Sequence, residues 1–180
     1  QRQIWKIKWG QRHGDTLTFF DPELECMSRK ELEVHQDVRL AAMFEKLIGR
    51  NRFYTEKIKG AGLSFSDLKT REDLKKVPFT TKSELMKAQE HSPPFGTNLT
   101  FPESDYTRFH QTSGTTGTPL RVLDTEESWQ WWGHCWGFVL AGAGLSAKDR
   151  LFVPFSFGPF IGFWAAVEGS REISALMIPG

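Results

Sequence analysis

Cysteine is scarce in this chain: Cys26 and Cys135 are the only two in 180 residues. Two thiols cannot build the disulfide framework of a small secreted domain, so a reducing, cytoplasmic setting is the simplest expectation. A charge excess of one sign is also lacking. Lys and Arg number 23 against 22 Asp and Glu, a net of +1. That balance excludes a nucleic-acid binder held by bulk charge, and a chain kept unfolded by self-repulsion. No apolar run reaches the roughly 18 residues of a spanning helix, so no membrane segment is expected. Nor does a basic start lead into an apolar stretch of the kind a secretory leader needs. Tyrosine occurs only twice, although Phe occurs 15 times and Trp 7 times. Hydrophobic residues at 39% and charged residues at 25% are otherwise ordinary for a globular chain.

What is present is unevenly placed. Residues 1–100 carry 18 basic and 14 acidic side chains, whereas residues 101–180 carry 5 and 8. Eleven aromatic residues, nearly half of the total, fall between Trp129 and Trp164. The contrast predicts an α/β protein: a mostly helical segment over 1–100, then an α/β segment over 101–180. The charge-rich part reads as a helical lead-in. The apolar part reads as a mixed or parallel sheet with flanking helices.

Local signals fill in this outline. Residues 1–27 have no clear periodicity. Ser28 and Glu31 have capping-box spacing. The helix that follows is expected to bury Leu32, Val38, Ala41, Phe44, Leu47 and Ile48 and to close at Gly49. A second helix is expected over 52–59, one or two short charged ones within 66–76, and another over 82–89 behind a second capping box, Thr81 and Glu84. Beyond the breaker cluster Pro93-Pro94-Phe95-Gly96, strands are predicted over 106–112 and 120–124, joined as a hairpin by the small-residue stretch 113–119. Thr125 is a good N-cap for a helix on which Trp129, Trp132, Trp136 and Val139 form one stripe, expected to face the core, with Trp131 off it. A strand over 151–154, a loop to Gly162, a helix over 163–173 and a strand over 175–178 suggest a parallel crossover.

The sharpest signal is His110-Gln111-Thr112-Ser113-Gly114-Thr115-Thr116-Gly117-Thr118-Pro119. Small residues let the backbone turn tightly enough for several N–H groups to converge on one anion, and Ser113, Thr115 and Thr116 add hydroxyls. A triphosphate suits such a cradle. The string is not a Walker loop, since Gly117 is followed by Thr118 and Pro119 rather than by Lys and Ser or Thr.

Ser113 to Pro119 resembles the phosphate-binding signature of the adenylate-forming enzymes, which include the acyl-CoA synthetases and luciferases. The phenylacetate–CoA ligase branch is the nearest likeness. Phe20-Asp21-Pro22-Glu23 with Met27-Ser28-Arg29, the stretch 74–85 containing Pro78-Phe79-Thr80-Thr81-Lys82, Phe95-Gly96, and His110 before the loop all follow that branch in order. Phe155-Ser156-Phe157-Gly158-Pro159-Phe160-Ile161-Gly162 resembles its Tyr-Gly-Tyr-Gly-Leu-Phe-Thr-Gly segment.

The resemblance implies activation of a small carboxylic acid with ATP and Mg²⁺, then transfer of the acyl group to coenzyme A. It implies that Thr112, Ser113, Gly114, Thr115, Thr116 and Gly117 hold the β- and γ-phosphates. It implies that Phe155, Phe157, Gly158, Phe160 and Gly162 line the acid site. It also implies that this chain is the N-terminal part of the large domain. The rest of that domain and the C-terminal domain, with the catalytic groups, would lie elsewhere, and this stretch alone would not turn over. No metal ligand is expected within it, and a homodimer is allowed for.

Departures from the family pattern sharpen these expectations. Thr118 stands where many relatives carry Lys, so one positive charge near the leaving pyrophosphate is lost unless Arg121 reaches back. Phe155 and Phe157 replace tyrosines, and Ser156 and Phe163 stand where Gly is usual. The acid site should therefore be more apolar and differently shaped, which leaves an aryl or arylacetic acid as the expected class but speaks against phenylacetate itself. Two other readings stay open: transfer of the adenylyl or acyl group to another acceptor, and a non-catalytic nucleotide-binding domain.

Other features have plain explanations. Gly142-Ala143-Gly144 lacks the strand–helix context of a dinucleotide fingerprint. His134-Cys135 lacks a second ligand pair. Glu126-Glu127 suit a helix N-terminus, and Lys75-Lys76 a solvated face. His110 fits either phosphate binding or an inward-facing strand position.

Overall fold

The computed structural model describes residues 19–114, 117–155 and 158–180. The order of elements is α1 (Pro22–Glu25), α2 (Arg29–Leu47), α3 (Arg52–Gly60), α4 (Lys82–His91), β1 (Tyr106–Gln111), β2 (Arg121–Thr125), α5 (Glu126–Gly142), β3 (Arg150–Val153), α6 (Ile161–Glu172) and β4 (Leu176–Pro179). Short 3-10 turns occupy Phe65–Asp67, Arg71–Lys76 and Glu103–Asp105. The described residues divide into two compact units, 28–126 and 19–27 with 127–180. No helix of the described residues is long and apolar enough to cross a membrane.

In the 28–126 unit, both predicted capping boxes form. The Ser28 hydroxyl accepts from the Glu31 N–H and the Glu31 carboxylate accepts from the Ser28 N–H; Thr81 and Glu84 repeat the arrangement at α4. The core here is Phe44, Ile58 and Leu68, with Leu40, Leu47, Leu63, Phe65 and Val77 packed against it. The burial expected for α2 is narrower than its sequence suggested. Leu32 and Ala41 are half-buried, whereas Val38 and Ile48 are exposed. At 100° per residue Val38 lies about 120° around the helix from Phe44, off the Leu40–Phe44–Leu47 stripe. Ile48 is the C-cap, with ψ 121°, and has already left the helix. Gly49 follows at φ 68°, the left-handed position that ends helices.

Polar ties replace apolar ones elsewhere in this unit. Arg71 Nε donates to Asp37 at 2.8 Å, and Lys57 Nζ to Glu84 at 2.5 Å. Fully buried Asn51 donates to Asn98 and Thr100 and accepts from the Tyr54 N–H. β1 and β2 pair antiparallel, with Phe109 opposite Leu123 and His110 opposite Val122. The predicted hairpin is present, with β2 ending on Thr125.

In the other unit, β3 and β4 pair parallel, Phe152 opposite Ile178, with α6 as the crossover, as the strand–helix–strand order predicted. Its core is Phe20, Leu140 and Ile173. The predicted tryptophan stripe is not the buried face of α5. Trp129 is buried, but its companions are Gly133, Gly137 and Leu140. Trp132 is 41% exposed and Val139 57%, while Trp136 is half-buried. Close approach explains the shift. A Cβ on Gly137 would lie 2.3 Å from the Phe20 ring, and a Cβ on Gly169 of α6 would lie 2.3 Å from the Cβ of Trp136. The glycines are the contact face, and a count of large side chains overlooks them. Trp131 is exposed, as its place off the stripe implied.

Candidate functional site

The hairpin connection is held at its neck. The Thr112 N–H donates to the Leu120 carbonyl at 3.0 Å, and Thr112 Oγ1 accepts from the Leu120 N–H at 3.0 Å. A hydroxyl thus stands in for the next carbonyl of the ladder, closing the loop on a fixed base. Gly114 has φ 67° and Gly117 φ 138°, and the Gly117 N–H donates to the Gly114 carbonyl at 3.0 Å. A Cβ on Gly114 would meet Gly117 O at 2.8 Å and Pro119 Cγ at 2.9 Å, so the turn has room for hydrogen alone. Gly117 is the opposite case: nothing lies within 4 Å of its Cβ position. Ser113 and Thr118 are exposed. Of the residues expected to bind phosphate, Thr112, Ser113, Gly114 and Gly117 are brought into this one turn. Thr115 and Thr116 lie outside the described residues.

The base of the loop is fixed from α4. Gln89 Nε2 donates to the Arg121 carbonyl at 2.5 Å and its Oε1 accepts from the Arg121 N–H at 3.1 Å, so one amide side chain grips the first residue of β2. Arg121 Nη1 donates to the Pro94 carbonyl at 3.3 Å. Its charge is therefore directed at Pro94, not back toward Thr118. Tyr106 Oη accepts from the N–H groups of Thr100 and Phe101 and fixes the entry to β1. Gln89 and Tyr106 carried no recognisable signal in the sequence, because their partners are far away along the chain or are backbone atoms.

Below the loop, His110 is 5% exposed, with Nε2 3.4 Å from Asp124 Oδ2. Burial pushes the imidazole pKa down, against the pull of the Asp124 carboxylate, and Arg108 adds to the downward shift. The ring is buried inside the hairpin, as an inward-facing strand position requires.

The second candidate element follows β3. The Phe155 N–H donates to the Val153 carbonyl at 2.9 Å, turning the chain sharply off the strand. Phe155 is 50% exposed and Phe160 37%. The Phe160 ring lies over Gly158, 2.9 Å from where a Cβ would stand. Trp164 Nε1 donates to the Gly158 carbonyl at 2.9 Å, and Phe163 stacks on Phe155 with ring centroids 4.4 Å apart and 19° between planes. Phe155, Gly158 and Phe160 are therefore gathered against the first turn of α6, where Gly162 is exposed. Phe157 and Ser156 lie outside the described residues.

Among the described residues, no group of three or more His, Cys, Asp or Glu side chains could hold a metal ion. Backbone amides and hydroxyls, the polar groups this turn carries, are of the kind that suits phosphate oxygens.

Comparison with known proteins places this geometry. No protein-family model matches the chain. The phenylacetate-coenzyme A ligase of Escherichia coli (strain K12) is 33% identical over 164 residues, covering 91% of this chain and 36% of that protein. The enzyme of the same name from Thermus thermophilus is 29% identical over 160 residues, covering 89% and 35%. Among solved structures, 2-hydroxyisobutyryl-CoA ligase in complex with 2-HIB-AMP and CoA superposes with a TM-score of 0.85 at 28% identity, over 94% of this chain and 36% of that one. The same ligase in the postadenylation state gives 0.84 at 26%. The chain thus spans about 36% of the length of the relatives it matches. By sequence and by fold the chain is similar to these acyl-CoA ligases, over about a third of their length.

Proposed function

We propose that this chain supplies the triphosphate-binding and acid-binding elements of an AMP-forming acid–thiol ligase. The full-length protein joins an aryl or arylacetic acid to AMP, releasing pyrophosphate, and passes the acyl group to coenzyme A. The observation that carries the reading is the turn at 112–119. Gly114 allows a reversal that no side chain permits, and Gly117 leaves its outer side open. With the N–H groups of Thr112 and Gly117 engaged inside the turn, Ser113 and Gly114 are the described residues to assign to phosphate oxygens, together with Thr115 and Thr116. Such preorganised donors stabilise charge that develops on the leaving pyrophosphate without having to reorganise. Mg²⁺ would add charge neutralisation there, with ligands from outside the described residues. Phe155, Phe157, Gly158, Phe160 and Gly162 are assigned to the acid, for which an apolar, Gly-bounded loop after a strand is a suitable seat. The mostly helical stretch 1–100 and the α/β stretch 101–180 are parts of one large domain. A cytoplasmic setting and a homodimer complete the reading.

The test is Gly117→Val in the full-length protein. A branched side chain there combines backbone strain at φ 138° with bulk in the open space beside the loop. Acid-dependent ATP–pyrophosphate exchange should fall below detection while the fold persists. First-step rates equal to wild type would remove the loop from the phosphate site. One observation favours a second reading, a nucleotide-binding domain without catalysis: Thr118 leaves the loop without a lysine, and Arg121 is directed elsewhere. ATP binding by the full-length protein without any pyrophosphate exchange, over a panel of aryl acids, would establish it.

A further inference from the structure

We infer that Phe163 is a positioning residue that makes Phe155 a fixed, flat platform, and through it sets the preference for planar aryl acids over branched aliphatic ones. The inference rests on the assignment of the loop after β3 to the acid, and adds a residue to it.

The loop is tied to α6 at two points. Phe163, the third residue of α6, covers one face of the Phe155 ring in a near-parallel stack, 4.4 Å between centroids and 19° between planes. One residue on, the Trp164 indole N–H holds the Gly158 carbonyl at 2.9 Å. Phe160 closes over Gly158, which has no Cβ to push it away. Phe155 nevertheless remains half exposed, so its ring offers apolar surface to a ligand in an orientation set by its neighbour. Without Phe163 the Phe155 side chain would rotate between staggered positions, and ordering it would oppose binding.

Ligand shape decides how much this matters. A planar aryl acid stacks on an aromatic face and depends on the angle of that face. A branched aliphatic acid of similar size gains only buried area, which changes little with ring angle. Phe163 therefore acts on selectivity between these two classes, and acts through Phe155 without touching the acid.

The experiment uses the full-length protein with benzoate-type and branched aliphatic acids, measuring kcat and KM for acid and for ATP. Phe163→Leu keeps apolar bulk and removes the ring. The aryl-over-aliphatic ratio of kcat/KM should fall about tenfold, through the KM for the aryl acid, with the KM for ATP unchanged. Phe163→Tyr keeps the ring and should restore the ratio. Trp164→Phe, which removes only the N–H donor to Gly158, should shift the ratio in the same direction and carries the test if Phe163→Leu does not fold. An unchanged ratio in the folded variants overturns the inference. Phe155→Ala separates this from failure of the acid assignment: if it leaves every acid KM unaltered, the acid lies elsewhere and both ideas fall. If it shifts them while the Phe163 and Trp164 variants do not, only the platform is refuted.

Discussion

Gly114→Ala isolates the backbone demand of the phosphate turn. The added methyl group would stand 2.8 Å from Gly117 O and 2.9 Å from Pro119 Cγ, both parts of the turn itself, with no flexible side chain to swing away. The residue also sits at φ 67°, where an L side chain costs about 1–2 kcal/mol. Crowding of a tight site costs about 1–3 kcal/mol more. The cheapest response is for the turn to open, losing the Gly117 N–H bond to the Gly114 carbonyl, while the neck at Thr112 and Leu120 holds. The binding-competent turn then becomes a minor state, and ATP must restore it. Taking about 2 kcal/mol, near the low end, the apparent affinity for ATP falls about 30-fold. The assay is pyrophosphate exchange by the full-length protein at saturating acid. The KM for ATP should rise by that factor, with the KM for acid unchanged and thermal stability nearly so. A KM for ATP within twofold of wild type would refute the reasoning, because the turn would have absorbed the methyl group without consequence for phosphate binding.

Two further predictions concern the scaffold. Hydrogen bonding to Lys57, then to Thr81, lowers the Glu84 pKa from 4.5 to about 2. A depressed folded-state pKa means the stabilisation is fully present above pH 4.5 and is lost as pH falls through about 2. Glu84→Gln keeps a capping side chain and removes the charge, so the wild-type advantage in Tm should be full at pH 7 and vanish towards pH 2. An advantage that does not change with pH would mean the ion pair contributes nothing. Gly169→Ala would put a Cβ 2.3 Å from Trp136 Cβ and 3.2 Å from that residue's carbonyl carbon, so backbone must move. A loss of about 1–3 kcal/mol in urea unfolding is expected; a loss under about 0.5 kcal/mol would show that α5 and α6 can separate freely.

Much of the fold was legible because its signals are local. Capping boxes at Ser28–Glu31 and Thr81–Glu84 act over three residues, so the residue pattern and the hydrogen bonds coincide. The hairpin and the parallel crossover followed from strand length and turn composition alone. Which side of each helix faces inward was less legible, since it depends on a partner. On α5 the decisive residues are Gly133 and Gly137, invisible to any count of apolar side chains, because burial there is set by how closely Phe20 and α6 approach.

The same distinction separates the two candidate elements. A phosphate turn works through its backbone, and backbone conformation is what glycine position announces. Gly114 and Gly117 therefore mark the turn in the sequence, and both have positive φ in the structure. The missing lysine was equally visible at Thr118, but whether Arg121 could replace it was not. That depended on Pro94, 27 residues earlier, whose carbonyl takes the guanidinium. The loop after β3, as an acid site, would work through side-chain orientation, which is a tertiary property. Its phenylalanines announce an apolar surface and nothing about its angle. The angle comes from Phe163, eight residues beyond Phe155, and from the Trp164 bond to Gly158, two contacts that no spacing rule links to a ligand. On the proposed reading, selectivity among acids would rest on a contact with α6 that the sequence does not announce, made by a residue that need never touch the acid.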